Sequence, residues 1–177
     1  MHAMTRMMKV TPAALALAAM VSLPLPASAH VVLEKREAPV GSYYKAVFQV
    51  GHGCEGSPTV KLSVRIPDGV VAAKPMPKPG WTIETVKGPY ATAAAHHGHA
   101  VSEGVREVIW QGRLPDDDFD EFVLSGFLTD TLQPGTTLYF PATQECEQGA
   151  NRWVDIPEPG KPPPKSPAPG LKLIAKP

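Results

Sequence analysis

The chain has 177 residues, 17 basic and 17 acidic, so its formal charge is zero at neutral pH with histidines uncharged. That balance leaves no basic field for nucleic acid or anionic lipid. The length suits one domain with its own core.

Residues 1–29 carry the three parts of a secretory signal peptide. Arg6 and Lys9 lie in a polar start, an apolar run follows from Val10 to Leu25, and Ala27-Ser28-Ala29 has the small-x-small form that signal peptidase accepts. A cut after Ala29 makes His30 the first residue of an exported protein, periplasmic or secreted. Its free α-amine and its ring Nδ1 then close a chelate ring on a metal ion. The rest of the chain holds no apolar run near the ~20 residues of a membrane span.

The remaining residues read as strands in chain order. A short one at Val31–Glu34 precedes a looser alternation over Tyr43–Val50. Thr59 to Pro67 is the clearest, with Val60, Leu62, Val64 and Ile66 on one face and Lys61, Ser63 and Arg65 on the other. Trp81–Val86, Val105–Gln111, Glu121–Leu128, Thr136–Phe140 and Asn151–Ile156 have strand length and strand composition. Pro67-Asp68-Gly69, Pro79-Gly80, Lys87-Gly88-Pro89 and Pro134-Gly135 mark turns between them. About eight strands of this spacing predict an all-β sandwich over residues 30–157, cupredoxin-like or Ig-like. Residues 158–177 are rich in proline, which predicts an extended, disordered tail with Leu171, Leu173 and Ile174 as a frayed apolar end.

Cys54 and Cys146 are an even count in an exported chain, which favours a disulfide. Blue copper needs histidine and methionine close behind its cysteine, and Glu147, Gln148, Gly149, Ala150 and Asn151 follow Cys146 instead. The bridge would join His52-Gly53-Cys54-Glu55-Gly56 to Glu145-Cys146-Glu147, with Trp153 seven residues on. His52, alone before a turn, is an outer candidate around such a site. Three imidazoles in four residues, His96, His97 and His99, lie between strands and read equally as an auxiliary metal loop or as a flexible surface loop. The acidic run from Asp116 to Glu121 lacks the spaced ligands of a calcium loop. No nucleophile elbow, HExxH or phosphate-binding glycine loop points to an enzyme.

Five stretches resemble the YcnI-type copper-binding domain family, an exported bacterial module. They are AHVVLE at the cleavage site, VGHGCEGSPTVKLSVRIPDGV, PGWTIETVKGPY, LPDDDFDEFVLSG and PGTTLYFPATQECEQGANRWVDIP. The resemblance implies a cupredoxin-like sandwich that binds Cu(II) through a mono-histidine brace. Carried over by position, the amine and imidazole come from His30, the tryptophan beside the metal is Trp153, and the carboxylate falls in Gly53–Pro58, where Glu55 qualifies. Two nitrogen donors and a carboxylate suit Cu(II), and neither nitrogen needs much deprotonation near neutral pH. The expected function is an exported copper metallochaperone or copper-uptake accessory without enzymatic activity. Its partners would be the copper ion and another exported copper chaperone or a membrane copper transporter. The alternatives are a metal-free structural or adhesion sandwich, and a copper-dependent oxidase with a second histidine across the metal.

Overall fold

The computed structural model describes residues 30–177; the expected signal peptide lies outside them. Twelve strands are seen among the described residues, in place of the eight expected, because several are only two to five residues long. They are β1 (Val32–Leu33), β2 (Glu37–Pro39), β3 (Ser42–Val50), β4 (Thr59–Arg65), β5 (Val70–Pro75), β6 (Thr82–His96), β7 (His99–Leu114), β8 (Asp120–Leu128), β9 (Thr137–Tyr139), β10 (Ala142–Cys146), β11 (Ala150–Trp153) and β12 (Gly170–Ile174). One sheet runs β1-β3-β8-β5, a second β11-β10-β4-β7-β6, and a third β2-β12-β9. No helix among the described residues is long and apolar enough to cross a membrane.

Alternation decides which side chains the sheets bury. Tyr44, Ala46, Phe48 and Val50 of β3 point inward, and Leu62 and Val64 of β4 meet them with Trp110, Phe122 and Phe140. The rings pack edge to face, Phe48 on Phe140 at 5.7 Å and Trp110 on Phe122 at 5.7 Å between centroids. The start of β4 departs from strict alternation. A register shift between Thr59 and Lys61 leaves Val60 half-buried and turns the Thr59 hydroxyl fully inward. A bulge adds one residue on one strand and flips the faces beyond it.

The expected disordered tail is corrected here. β12 lies between β2, parallel to it, and β9, antiparallel. Leu171 and Leu173 are fully buried while Lys172 between them is exposed. That is a period of two, and burying each leucine is worth about 1.5–3 kcal/mol, enough to hold the segment against fraying. The prolines before it lack N–H groups but keep their carbonyls, and Phe140 N donates to Pro169 O at 2.8 Å. On the way, Asp155 exchanges backbone bonds with the returning chain, donating to Ser166 O at 3.0 Å and accepting from Ala168 N at 2.9 Å. The domain therefore extends to residue 174.

The expected surface loop over residues 87–104 is also corrected. β6 and β7 continue through it and meet in a two-residue turn, His97 (φ 50°) and Gly98 (φ 77°), with His96 paired to His99. Both central residues of such a turn need positive φ, which the right-handed twist of the flanking strands favours. Lower down, Tyr90 Oη accepts from Ala72 N of β5 at 3.3 Å, and a side chain at Gly104 would strike that same ring.

Cys54 and Cys146 form the disulfide, with Cα atoms 5.9 Å apart across 92 residues of chain. It ties the segment after β3 to the end of β10. Replacing both cysteines by serine is expected to lower unfolding free energy by roughly 2–4 kcal/mol, through the unfolded chain's regained freedom. Urea titration of the oxidised protein and the double variant measures this; an unchanged midpoint would refute it.

Candidate metal centre

His30 enters beside β1. Val32 opposes Gln49 and Leu33 opposes Phe48 on β3, so the same offset brings His30 level with Gly51, next to His52. The neighbouring Val31 and Leu33 are buried and hold the segment down. The half-buried His30 ring lies 4.8 Å from the Trp153 ring, centroid to centroid, tilted by 55°. His30 Nε2 is 3.3 Å from the carbonyl oxygen of Lys165 in the proline segment. A carbonyl only accepts, so this bond requires the ring proton on Nε2. Nδ1, the nitrogen nearer the main chain, is then the lone-pair nitrogen. A metal-ligating histidine commonly donates its other N–H to a backbone carbonyl in this way.

Trp153 is held from behind. It sits opposite Ala142 on β10, and its Nε1 donates to Gln144 Oε1 at 3.4 Å. Gln144 is fully buried, and its Nε2 donates to His52 O and to Thr59 Oγ1, both at 2.7 Å. The bulge in β4 supplies that threonine hydroxyl. Gln144 thus ties together the tryptophan, the segment before the disulfide and the start of β4. Sequence reasoning missed it, although Ala142, Gln144 and Cys146 share the inward face of β10 and an inward glutamine needs partners.

The disulfide neighbourhood is built tightly. Cys54 and Ser57 exchange backbone bonds of 3.0 and 2.9 Å around a turn whose tip is Glu55 (φ 50°) and Gly56 (φ 87°). Gly53 allows the closure, since a Cβ there would lie 1.8 Å from Ser57 O. Glu55 is exposed in a left-handed conformation that costs a non-glycine residue about 1–2 kcal/mol. Three other carboxylates at this end are engaged: Glu145 with Lys61 at 3.0 Å, Glu147 with Arg113 at 2.8 Å, and Asp116 with Gly53 N at 2.9 Å. Among the described residues Glu55 has no ion pair or hydrogen bond of its own. His52 Nδ1 faces the Gly53 carbonyl, and its Nε2 is a buried nitrogen with no hydrogen-bond partner among the described residues.

Of the residues singled out from sequence, the structure joins His30 to Trp153, Cys54 to Cys146, and His52 to both through Gln144. His96, His97 and His99 are elsewhere, at the tip of the β6–β7 hairpin. No group of three or more histidine, cysteine, aspartate or glutamate side chains among the described residues encloses a metal ion. At the N-terminal end the structure places the His30 imidazole against Trp153, and Glu55 stands exposed at the tip of the turn beside the disulfide.

Comparison with known proteins agrees with this architecture. A family described as "Domain of unknown function (DUF1775)" matches residues 30–173, which includes β12, and YcnI-type domains are DUF1775. A solved structure of an uncharacterized protein from Nocardia farcinica, described as revealing an immunoglobulin-like fold, is similar to this chain. It is 25% identical, with a TM-score of 0.61 over 82% of this chain and 98% of that one. The sandwich resembles an immunoglobulin-like one. No curated protein matches the chain.

Proposed function

We propose, from the premise that this chain belongs to the DUF1775 family, that it is an exported carrier of Cu(II). Copper is its cargo. The α-amine exposed by cleavage after Ala29 and Nδ1 of His30 hold the ion, with the Glu55 carboxylate as third donor. The observation that carries this reading is the seating of His30 on Trp153 with Nε2 directed at the Lys165 carbonyl. That contact selects the tautomer the chelate needs. Trp153 covers one side of the imidazole, and Gln144 keeps the indole from turning away.

The chemistry suits delivery. Two nitrogens and one carboxylate leave a tetragonal ion with open positions, through which a partner's donors can take hold before the carrier lets go. The partner is of the class that accepts copper outside the cytoplasm: a second exported carrier or a membrane transporter. No turnover belongs to this reading. Copper-dependent oxidation of a polysaccharide above a free-copper control would overturn it.

The test is a Cu(II) titration of protein that begins at His30. One tight equivalent is expected, with paramagnetic resonance showing two nitrogen ligands and tryptophan fluorescence falling in step. Trp153→Phe should keep the equivalent and lose most of the quenching, because most of the apolar volume remains. A His30→Ala variant that still bound copper with the same spectrum would refute the assignment. A third nitrogen in the spectrum would bring the buried His52 Nε2 into the ligand set and favour an oxidase-type site instead.

A further inference from the structure

We propose that Tyr43, His96 and His97 form a second Cu(II) site, separate from the N-terminal one and built on a tyrosine oxygen. Tyr43 is the second residue of β3, so it lies near the end of that strand opposite to Val50. At about 3.3 Å per residue this is roughly 23 Å from the end that approaches His30. The proposal does not depend on the brace.

Three observations converge on it. His96 Nε2 and His97 Nε2 each lie 2.8 Å from the single oxygen of Tyr43. Neighbouring residues of a strand normally point to opposite faces. Here the left-handed conformation of His97 returns its ring to the side of His96, and the two rings lie 4.3 Å apart. Asparagine or glycine would take that turn position more easily, so the histidine sits there at a conformational cost. Third, the group rests on a packed platform. Phe127 of β8 lies beside both Tyr43 (5.3 Å) and His96 (5.4 Å).

The spacing suits a tetragonal ion. Ligand bonds of about 2.0 Å put adjacent donors about 2.8 Å apart. Without metal, the same separation makes a hydrogen-bonded clasp in which Tyr43 donates to one imidazole and accepts from the other. Loading releases the Tyr43 proton to solvent, and the copper remains Cu(II). His99, across the hairpin from His96, is exposed and has no hydrogen bond to Tyr43 among the described residues. The site is therefore two of the three histidines plus a tyrosine that sequence spacing did not connect with them.

The experiment uses protein beginning at His30 that already carries one equivalent of Cu(II), titrated with a second. Binding of the second equivalent should bring a phenolate-to-copper charge-transfer band. Tyr43→Phe, which keeps the ring packing on Phe127, should abolish the band. It should also weaken the second equivalent by more than the roughly 10- to 100-fold that a change outside the ligand shell costs. His99→Ala should leave band and affinity unchanged, and His30→Ala should keep the band. Absence of the band from both equivalents, or a band indifferent to Tyr43→Phe, would overturn the proposal and leave the clasp as a purely structural contact.

Discussion

A chain ended after Pro164 will fail to hold the native sandwich, although it loses only 13 residues. The lost segment contains Leu171 and Leu173, fully buried, and Ala168, nearly so. β2 and β9 lose the strand that lies between them. Truncating one buried leucine to alanine costs about 2–5 kcal/mol. Two together reach most of the 5–15 kcal/mol that holds a typical domain folded. Circular dichroism and urea titration should show an unfolded or loosely packed chain. The milder Leu173→Ala should stay folded, with its urea midpoint lowered and its m value unchanged. A truncated chain with native stability would return the segment to the disordered tail that its proline content suggests.

One residue added ahead of His30 will remove tight copper binding at the N-terminal site while leaving the fold intact. The addition turns the α-amine into a peptide nitrogen and carries the new amine about 3.3–3.6 Å further along the chain. Chelation with Nδ1 is then lost, but the His30–Trp153 contact and the bond to Lys165 O need no free amine. The expected loss of affinity exceeds the roughly 10- to 100-fold range for outer-shell partners. Thermal stability without copper should not change. Competition against a copper chelator, run on both forms, measures the difference. Equal affinity and an equal spectrum would exclude the brace and move the tight site to the Tyr43 cluster. Loss of the brace with the charge-transfer band retained would establish the two sites as independent.

Local patterns in the chain determine a good deal. The alternation of Leu62, Val64 and Ile66 specifies a strand and its inner face, because successive side chains of a strand point to opposite sides whatever their partner. The disulfide was legible for a simpler reason: two cysteines allow one intramolecular pairing. Partners joined across long loops were not legible. Leu171-Lys172-Leu173 is too short a pattern to stand out after seven prolines, and its burial depends on β2 and β9, which flank it from distant parts of the chain. Gln144 looks like any strand glutamine until Trp153, His52 and Thr59 are brought around it, the last by a bulge that alternation does not foretell. The three histidines at the hairpin tip suggest a metal on composition alone. Only the return of the hairpin against β3 brings two of them to Tyr43 and leaves His99 aside. Sequence periodicity reports which face a residue prefers, because that follows from backbone geometry. Which group it meets there depends on contacts between segments dozens of residues apart, and those exist only once the sheets have closed on one another.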